Sequence, residues 1–152
     1  MLHIYVDADA CPVKNVVDRV ATRYDLPVTF VANTYMRVPG AGRAKLVVVE
    51  QGLDGADDWI VEQAGLDDIV ITGDIPLAAR CLDKGARVLG HNGRPFTPAN
   101  VGEALASRQL LKQLREQGVM LGGPAPFAAK DRSLFLQQLD QMVQAIRRGS
   151  PR

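Results

Sequence analysis

The sequence predicts an α/β fold, a single-domain parallel β-sheet with helices on both faces and a helical extension at the C-terminus. Three observations carry this. The short apolar runs Leu2–Val6, Pro27–Ala32, Lys45–Val49, Ile69–Thr72 and Ala86–Leu89 lack the strict polar alternation of a half-solvated sheet, as strands buried on both faces do. Segments between them repeat apolar residues at helical spacing. The 152 residues, 47% hydrophobic and 23% charged, are enough for one domain with a sizeable core and little more.

Each element follows in order. After the first strand, Asp7-Ala8-Asp9-Ala10-Cys11-Pro12 forms a loop, and Val13, Val16, Val17, Val20 and Ala21 give a helix over 13–23. Asp9 or Ala10 is expected near its N-cap, with Pro12 in the first turn, where a missing N–H costs nothing. A long loop over 33–43, rich in turn residues and arginine, separates the second and third strands. Residues 55–65 read as a helix burying Ile60, Val61 and Ala64, and a further helix spans 75–84 between the fourth and fifth strands. Turn residues from His91 to Phe96 precede Thr97-Pro98, a capping residue with an N1 proline, which opens a helix running to Gln117. Glycines and prolines over 118–126 link it to a last helix over 131–148, with Leu134, Phe135, Leu139, Met142, Val143 and Ile146 available for docking on the sheet. The domain is thus expected over 1–148, with 149–152 a frayed tail.

Composition excludes several classes. No apolar run approaches the roughly 18 residues of a membrane span, and an acidic residue at position 7 interrupts any signal-peptide core, so a cytoplasmic location is expected. Cys11 and Cys81 stand in no zinc spacing and form no disulfide framework. Net charge is only +1, yet residues 1–86 sum to −5 and residues 87–152 to +6. An acidic front with a basic rear fits a polar site beside an anion-facing surface, and solvated helix faces give the same split.

Ligands of a parallel sheet bind at the carboxyl ends of its strands. Asp7 and Asp9 fall there after the first strand and Asp74 after the fourth, while Asp57 and Asp58 open the helix leading into the fourth. Carboxylates gathered this way raise one another's pKa unless a cation sits among them. A hard divalent ion, Mg²⁺ or Mn²⁺, suits oxygen ligands and phosphoryl chemistry. Asp9 and Asp57 also fit plain helix caps, whereas Asp7 and Asp74, directly after apolar runs, fit a cap less well. Cys11, near a helix start, is a candidate for a lowered thiol pKa, with a small buried cysteine as the alternative. His3 and His91 join no metal motif. Arg108, Lys112 and Arg115 form a stripe on one helix face, with Leu110, Leu111 and Leu114 turned away; with Arg37, Arg43 and Lys45 it could follow a phosphate backbone. The scarcity of aromatic residues, 5%, gives no support to base stacking.

Several strings together resemble the YaiI/YqxD family of bacterial proteins: Val6-Asp7-Ala8-Asp9-Ala10-Cys11-Pro12-Val13-Lys14, Val31-Ala32-Asn33, Arg37-Val38-Pro39, Ala56-Asp57, Ile71-Thr72-Gly73-Asp74-Ile75-Pro76-Leu77-Ala78, Gly122-Gly123-Pro124 and Asp131-Arg132. The match spans nearly the whole chain, and Asp-x-Asp-Ala-Cys-Pro and Thr-x-Asp-Ile-Pro-Leu-Ala are long, specific strings. That family is similar to PIN-like nuclease domains, which gather acids on a parallel sheet for Mg²⁺ or Mn²⁺ and cleave RNA or DNA. The resemblance implies Asp7, Asp57 and Asp74 as the core acids with Asp9 as a fourth. It makes Lys14, Arg37 and Arg132 candidates for a substrate phosphate, Thr72 a support for Asp74, and Asn33 and Asp58 supporting residues. The Asp-x-Asp-Ala-Cys-Pro and Asp131-Arg132 elements depart from the nuclease pattern.

Three readings follow. The first is a metal-dependent nuclease. The second is a non-catalytic RNA- or protein-binding module that keeps the acids for capping or metal-aided stability. A third, a haloacid-dehalogenase-like phosphatase with Asp7 as nucleophile and Asp9 as general acid, matches the Asp-x-Asp opening but finds Ala78 and Ala79 where a second acid should follow Asp74.

Overall fold

Strands and helices alternate along the described residues of the computed structural model, which are 2–40, 44–50, 55–120 and 127–149. They run β1 (Ile4–Asp7), α1 (Lys14–Tyr24), β2 (Val28–Ala32), β3 (Ala44–Val48), α2 (Gly55–Gln63), β4 (Ile69–Ile71), α3 (Ile75–Asp83), β5 (Arg87–Leu89), β6 (Pro95–Phe96), α4 (Pro98–Glu116) and α5 (Ala129–Arg147). The sheet order is β3-β2-β1-β4-β5-β6. Its first five strands are parallel, as expected, while β6 pairs antiparallel with β5 through Val88↔Phe96 and Leu89↔Pro95. That two-residue strand lies in the segment expected to be only a turn; two residues are too short to show any periodicity.

Alternation of side chains across the strands builds two cores. Ile4, Val6, Phe30, Ile69, Ile71 and Leu89 face the layer formed by α1 and α5, whose Val16, Val17, Val20, Phe135, Leu139 and Val143 complete that core. Tyr5, Val31, Val70 and Val88 point the other way, onto Ile60 of α2 and Leu77, Ala78 and Cys81 of α3. Fully burying one such aliphatic side chain contributes about 1.5–3 kcal/mol. The terminal helix therefore docks on its own sheet. Its outer contacts are polar: Asp140 Oδ1 accepts from Arg23 Nη1 at 2.9 Å and from the Tyr24 hydroxyl at 2.8 Å, fastening α5 to the end of α1.

The long helix α4 differs from its expected packing. Its start is well defined, with Thr97 and Asn100 capping each other's backbone amides and Pro98 in the first turn. No residue of α4 is buried, however, and Leu110 and Leu111 are 55% and 42% exposed, so these leucines are not turned into a core. Its beginning has a partner layer, where Val101 packs beside α3 and Phe96. Among the described residues no helix is long and apolar enough to cross a membrane. Arg43, most of the 118–126 linker and the last three residues of the tail lie outside the described residues.

Candidate functional site

β1 lies between β2 and β4, and the chain crosses to opposite faces on its two sides: α1 connects β1 to β2 over one face, and α2 leads into β4 over the other. Such a point of reversal, at the carboxyl ends of the strands, is where ligands of open α/β sheets bind. Asp7 ends β1 and Thr72 follows β4 directly, so the seam between the two strands brings them together.

Thr72 is fully buried, and its hydroxyl serves two partners. It donates to Asp7 Oδ2 at 2.8 Å and accepts from the Asp74 backbone N–H at 3.0 Å. Its side chain thus supports the Asp7 carboxylate and the backbone, not the carboxylate, of Asp74. Asp74 is the N-cap of α3, with Oδ1 accepting from the Leu77 N–H at 2.9 Å, so the position that seemed a poor fit for a cap is one. A strand leading straight into a helix needs a cap at that residue.

Asp9 does not cap α1. Its Oδ2 accepts from the backbone N–H of Asn33 at 2.9 Å, tying the loop after β1 to the end of β2. The N-cap of α1 is Val13, which supplies no side-chain bond. Between Asp9 and Cys11 the backbone turns through Ala10 at φ 57°, a left-handed conformation unfavourable for alanine by about 1–2 kcal/mol. Asn33 Oδ1 is buried and has no hydrogen-bond partner among the described residues.

Burial pushes the Asp7 carboxyl above its usual range; the Thr72 hydrogen bond opposes this, and the charges of Asp74 and Asp9 add to it. The close acids are therefore Asp7, Asp9 and Asp74. Asp57 stands in the first turn of α2, and its charge, like that of Asp7, reaches Cys81 on α3. Asp58 bonds Arg80 at 2.9 Å on the surface, joining α2 to α3, and contributes to neither group. Among the described residues no three His, Cys, Asp or Glu side chains converge on a point that would hold a metal ion. Asp7, Asp9 and Asp74 nevertheless each keep one carboxylate oxygen that makes no hydrogen bond among the described residues. An ion held here would have to keep most of its water and take one or two of these carboxylates, as Mg²⁺ commonly does, because no all-protein cage is formed among the described residues.

The cationic candidates divide. Lys14 and Arg37 line one cavity of about 400 Å³ with Cys11, Pro12, Asn15, Val38 and Pro39. Arg132 does not reach it and instead lies 5.8 Å from the centre of the Phe127 ring, on the exposed start of α5. Arg108, Lys112 and Arg115 are exposed on α4. Cys11 is not activated, since burial raises its thiol pKa more than Lys14 lowers it, and burial pushes the Cys81 thiol up to about 12.

His91 is the residue that motif reasoning passes over. It follows β5, the next strand end along, and its ring lies beside Gly73, where a Cβ would come within 3.5 Å of it. Burial holds its imidazole below the usual histidine range, and the nearby Lys14 ammonium lowers it further. Its Nε2 is buried without a partner among the described residues. The available signal was position alone: His91 follows the fifth strand at the end of the sheet that holds the acids.

A family model described as "Uncharacterized BCR, YaiI/YqxD family" matches residues 5–145. A UPF0178 protein of Rhodospirillum centenum is 60% identical, over 98% of this chain and 99% of its own length. One of Parvibaculum lavamentivorans is 58% identical over 99% of each. No solved structure matches the chain significantly. With a match that takes in β1, the Asp7 loop, β4 and α5 alike, the chain belongs to the YaiI/YqxD family.

Proposed function

We propose that the protein is a divalent-metal-dependent phosphodiesterase acting on RNA or DNA, with Asp7, Asp9 and Asp74 as the metal-facing carboxylates. One observation carries the reading: Asp7 is half-buried at the switch point of the sheet, its charge opposed by Asp74 and Asp9, while Thr72 holds it in one orientation. Keeping a like-charged group together in a desolvated crevice is unfavourable unless a cation offsets it. When bound, Mg²⁺ or Mn²⁺ orients water and neutralises charge on a leaving oxygen. Thr72 fixes the Asp7 rotamer, the α3 cap fixes Asp74, and the Asn33 amide fixes Asp9. Lys14 and Arg37 supply positive charge on the far side of the 8–12 turn, where substrate phosphate would lie. Asp57 acts on Cys81 of α3 and Arg132 lies over Phe127, so neither has a part in this scheme. A cytoplasmic location is part of this proposal, and nothing in the scheme needs a membrane.

A labelled RNA and a single-stranded DNA, incubated with Mg²⁺, Mn²⁺ or EDTA, test this. Cleavage by the wild type that needs metal and falls about a hundredfold or more in Asp7→Asn and Asp74→Asn is the expected result. Absence of metal-dependent cleavage, or equal cleavage by the variants, overturns it.

A second reading has its own support. Asp74 and Asp9 already hold structural hydrogen bonds, and no three donors converge among the described residues, which favours a binding module that uses these acids to shape its loops. Nucleic-acid binding without cleavage in any metal selects that reading.

A further inference from the structure

The cavity at the start of α1 has a composition that the acid site does not explain. Lys14 comes from the helix and Arg37 from the segment after β2, and among the described residues no carboxylate lines the space between them. Neither cation makes an ion pair among the described residues; the Lys14 ammonium bonds only the Cys11 carbonyl, at 3.0 Å. The first turn of α1 carries no acid and its N-cap no side-chain bond, so a lysine stands where the helix dipole favours a negative charge. The walls are anchored. Met36 and Val38, on either side of Arg37, pack against the core, and Gly40 approaches α1 so closely that a Cβ there would lie 2.7 Å from Asp18 Oδ1.

From this cavity we infer a pocket for a phosphomonoester, held between Lys14 and Arg37 and carried by the end of a nucleic-acid strand or by a free mononucleotide. A phosphomonoester carries close to two negative charges near neutral pH, which two unpaired cations match, whereas an internal diester carries one. A concave space of about 400 Å³ suits a terminal nucleotide, while a continuous strand needs an open stripe such as that on α4. Cys11 and Pro12 line the cavity, and Asp7 and Asp9 stand at the start of the same loop after β1, so the pocket lies along the chain from the acids. The inference rests on the phosphodiesterase reading for its consequence, which is that cleavage begins beside a phosphorylated end.

Fluorescence anisotropy of the wild type in EDTA, with one short single-stranded oligonucleotide bearing a 5′-phosphate, a 3′-phosphate or only hydroxyl ends, reads the pocket directly. One phosphorylated form is expected to bind about tenfold tighter than the hydroxyl form, on the scale of a charge-assisted contact. The double variant Lys14→Gln/Arg37→Gln, checked for an unchanged melting temperature, should remove that difference. Adenosine monophosphate as competitor separates the two carriers: displacement at concentrations similar to the oligonucleotide assigns the pocket to a mononucleotide, and weaker displacement assigns it to a strand end. Equal affinity for all three ends, or a difference that survives the double substitution, overturns the pocket. End discrimination without cleavage in any metal keeps the pocket and removes the phosphodiesterase; cleavage with no end preference does the reverse.

Discussion

Asp7 and Thr72 stand 2.8 Å apart across the seam between β1 and β4, and the threonine hydroxyl both orients the carboxylate and receives the Asp74 amide. Thr72→Val preserves shape but leaves a carboxylate oxygen and a backbone N–H unpaired. A loss of about 2–4 kcal/mol in urea unfolding is expected, with Thr72→Ser recovering most of it. A Thr72→Val protein as stable as the wild type would show that water replaces the hydroxyl at no cost.

Neutralising Asp7 is expected to act in the opposite direction. Its folded pKa is raised above the ordinary value of 3.8, first by burial and then by Asp74 and Asp9, so the native state binds its proton more tightly than the unfolded chain does. Stability from this group is present below the unfolded value and lost as pH rises through the folded one. In EDTA at neutral pH, Asp7→Asn should therefore melt higher than the wild type, by about 2–4 °C for each kcal/mol relieved. The gap should close on acidification. Mn²⁺ at a hundred times its dissociation constant should raise only the wild type, by about 2.7 kcal/mol. A variant that melts lower in EDTA would mean that the Asp7 charge is already compensated within the fold.

The two histidines set a slope of the other sign. His3 and His91 are both held below 6.5 by burial, so the unfolded chain binds protons more readily than the native one. Their contribution is complete above the unfolded value and is lost as pH falls through the folded values. Unfolding free energy should decline below about pH 6.5, and His3→Gln/His91→Gln should flatten that decline. An unchanged slope in the double variant would place the acid sensitivity elsewhere.

Gly93 and Gly102 make a matched pair. At Gly93, φ is +83° and a Cβ would lie 2.7 Å from the Phe135 backbone N and 2.8 Å from the Leu134 carbonyl carbon. The backbone of α5 lies against this turn, and Gly93→Ala should cost about 3 kcal/mol or more because backbone cannot swing aside. Gly102 lies within α4 with nothing within 4 Å of a Cβ, and Gly102→Ala should stabilise by about 0.5–1 kcal/mol. Thermal melts of the two variants moving in the same direction would contradict this packing.

The sequence revealed the fold more fully than the site. Buried strands announce themselves by composition, and Val28–Ala32 or Ile69–Ile71 could hardly be anything else. Two features were hidden. β6 exists because Pro95 and Phe96 meet β5, a long-range pairing with no local period. The leucines of α4 carry helical spacing but have no opposing layer among the described residues, and spacing cannot show whether a partner is there. At the site, Asp7, Asp9 and Asp74 were legible from their places after strands, but their hydrogen bonds were not: whether Asp9 caps α1 or ties down Asn33 depends on where β2 ends in space. Lys14 and Arg37 are 23 residues apart in the sequence, and only the fold puts them on one cavity.

The borders of the sheet limit how anything can approach it. On one side β6 offers two residues, one of them a proline without an N–H to give; on the other, β3 carries the exposed Lys45. Short, proline-bearing or lysine-bearing margins discourage another chain from adding a strand. A chain seeking to extend this sheet is thus turned away from both flanks, and growth of the molecule by added strands is blocked at the fold's own margins.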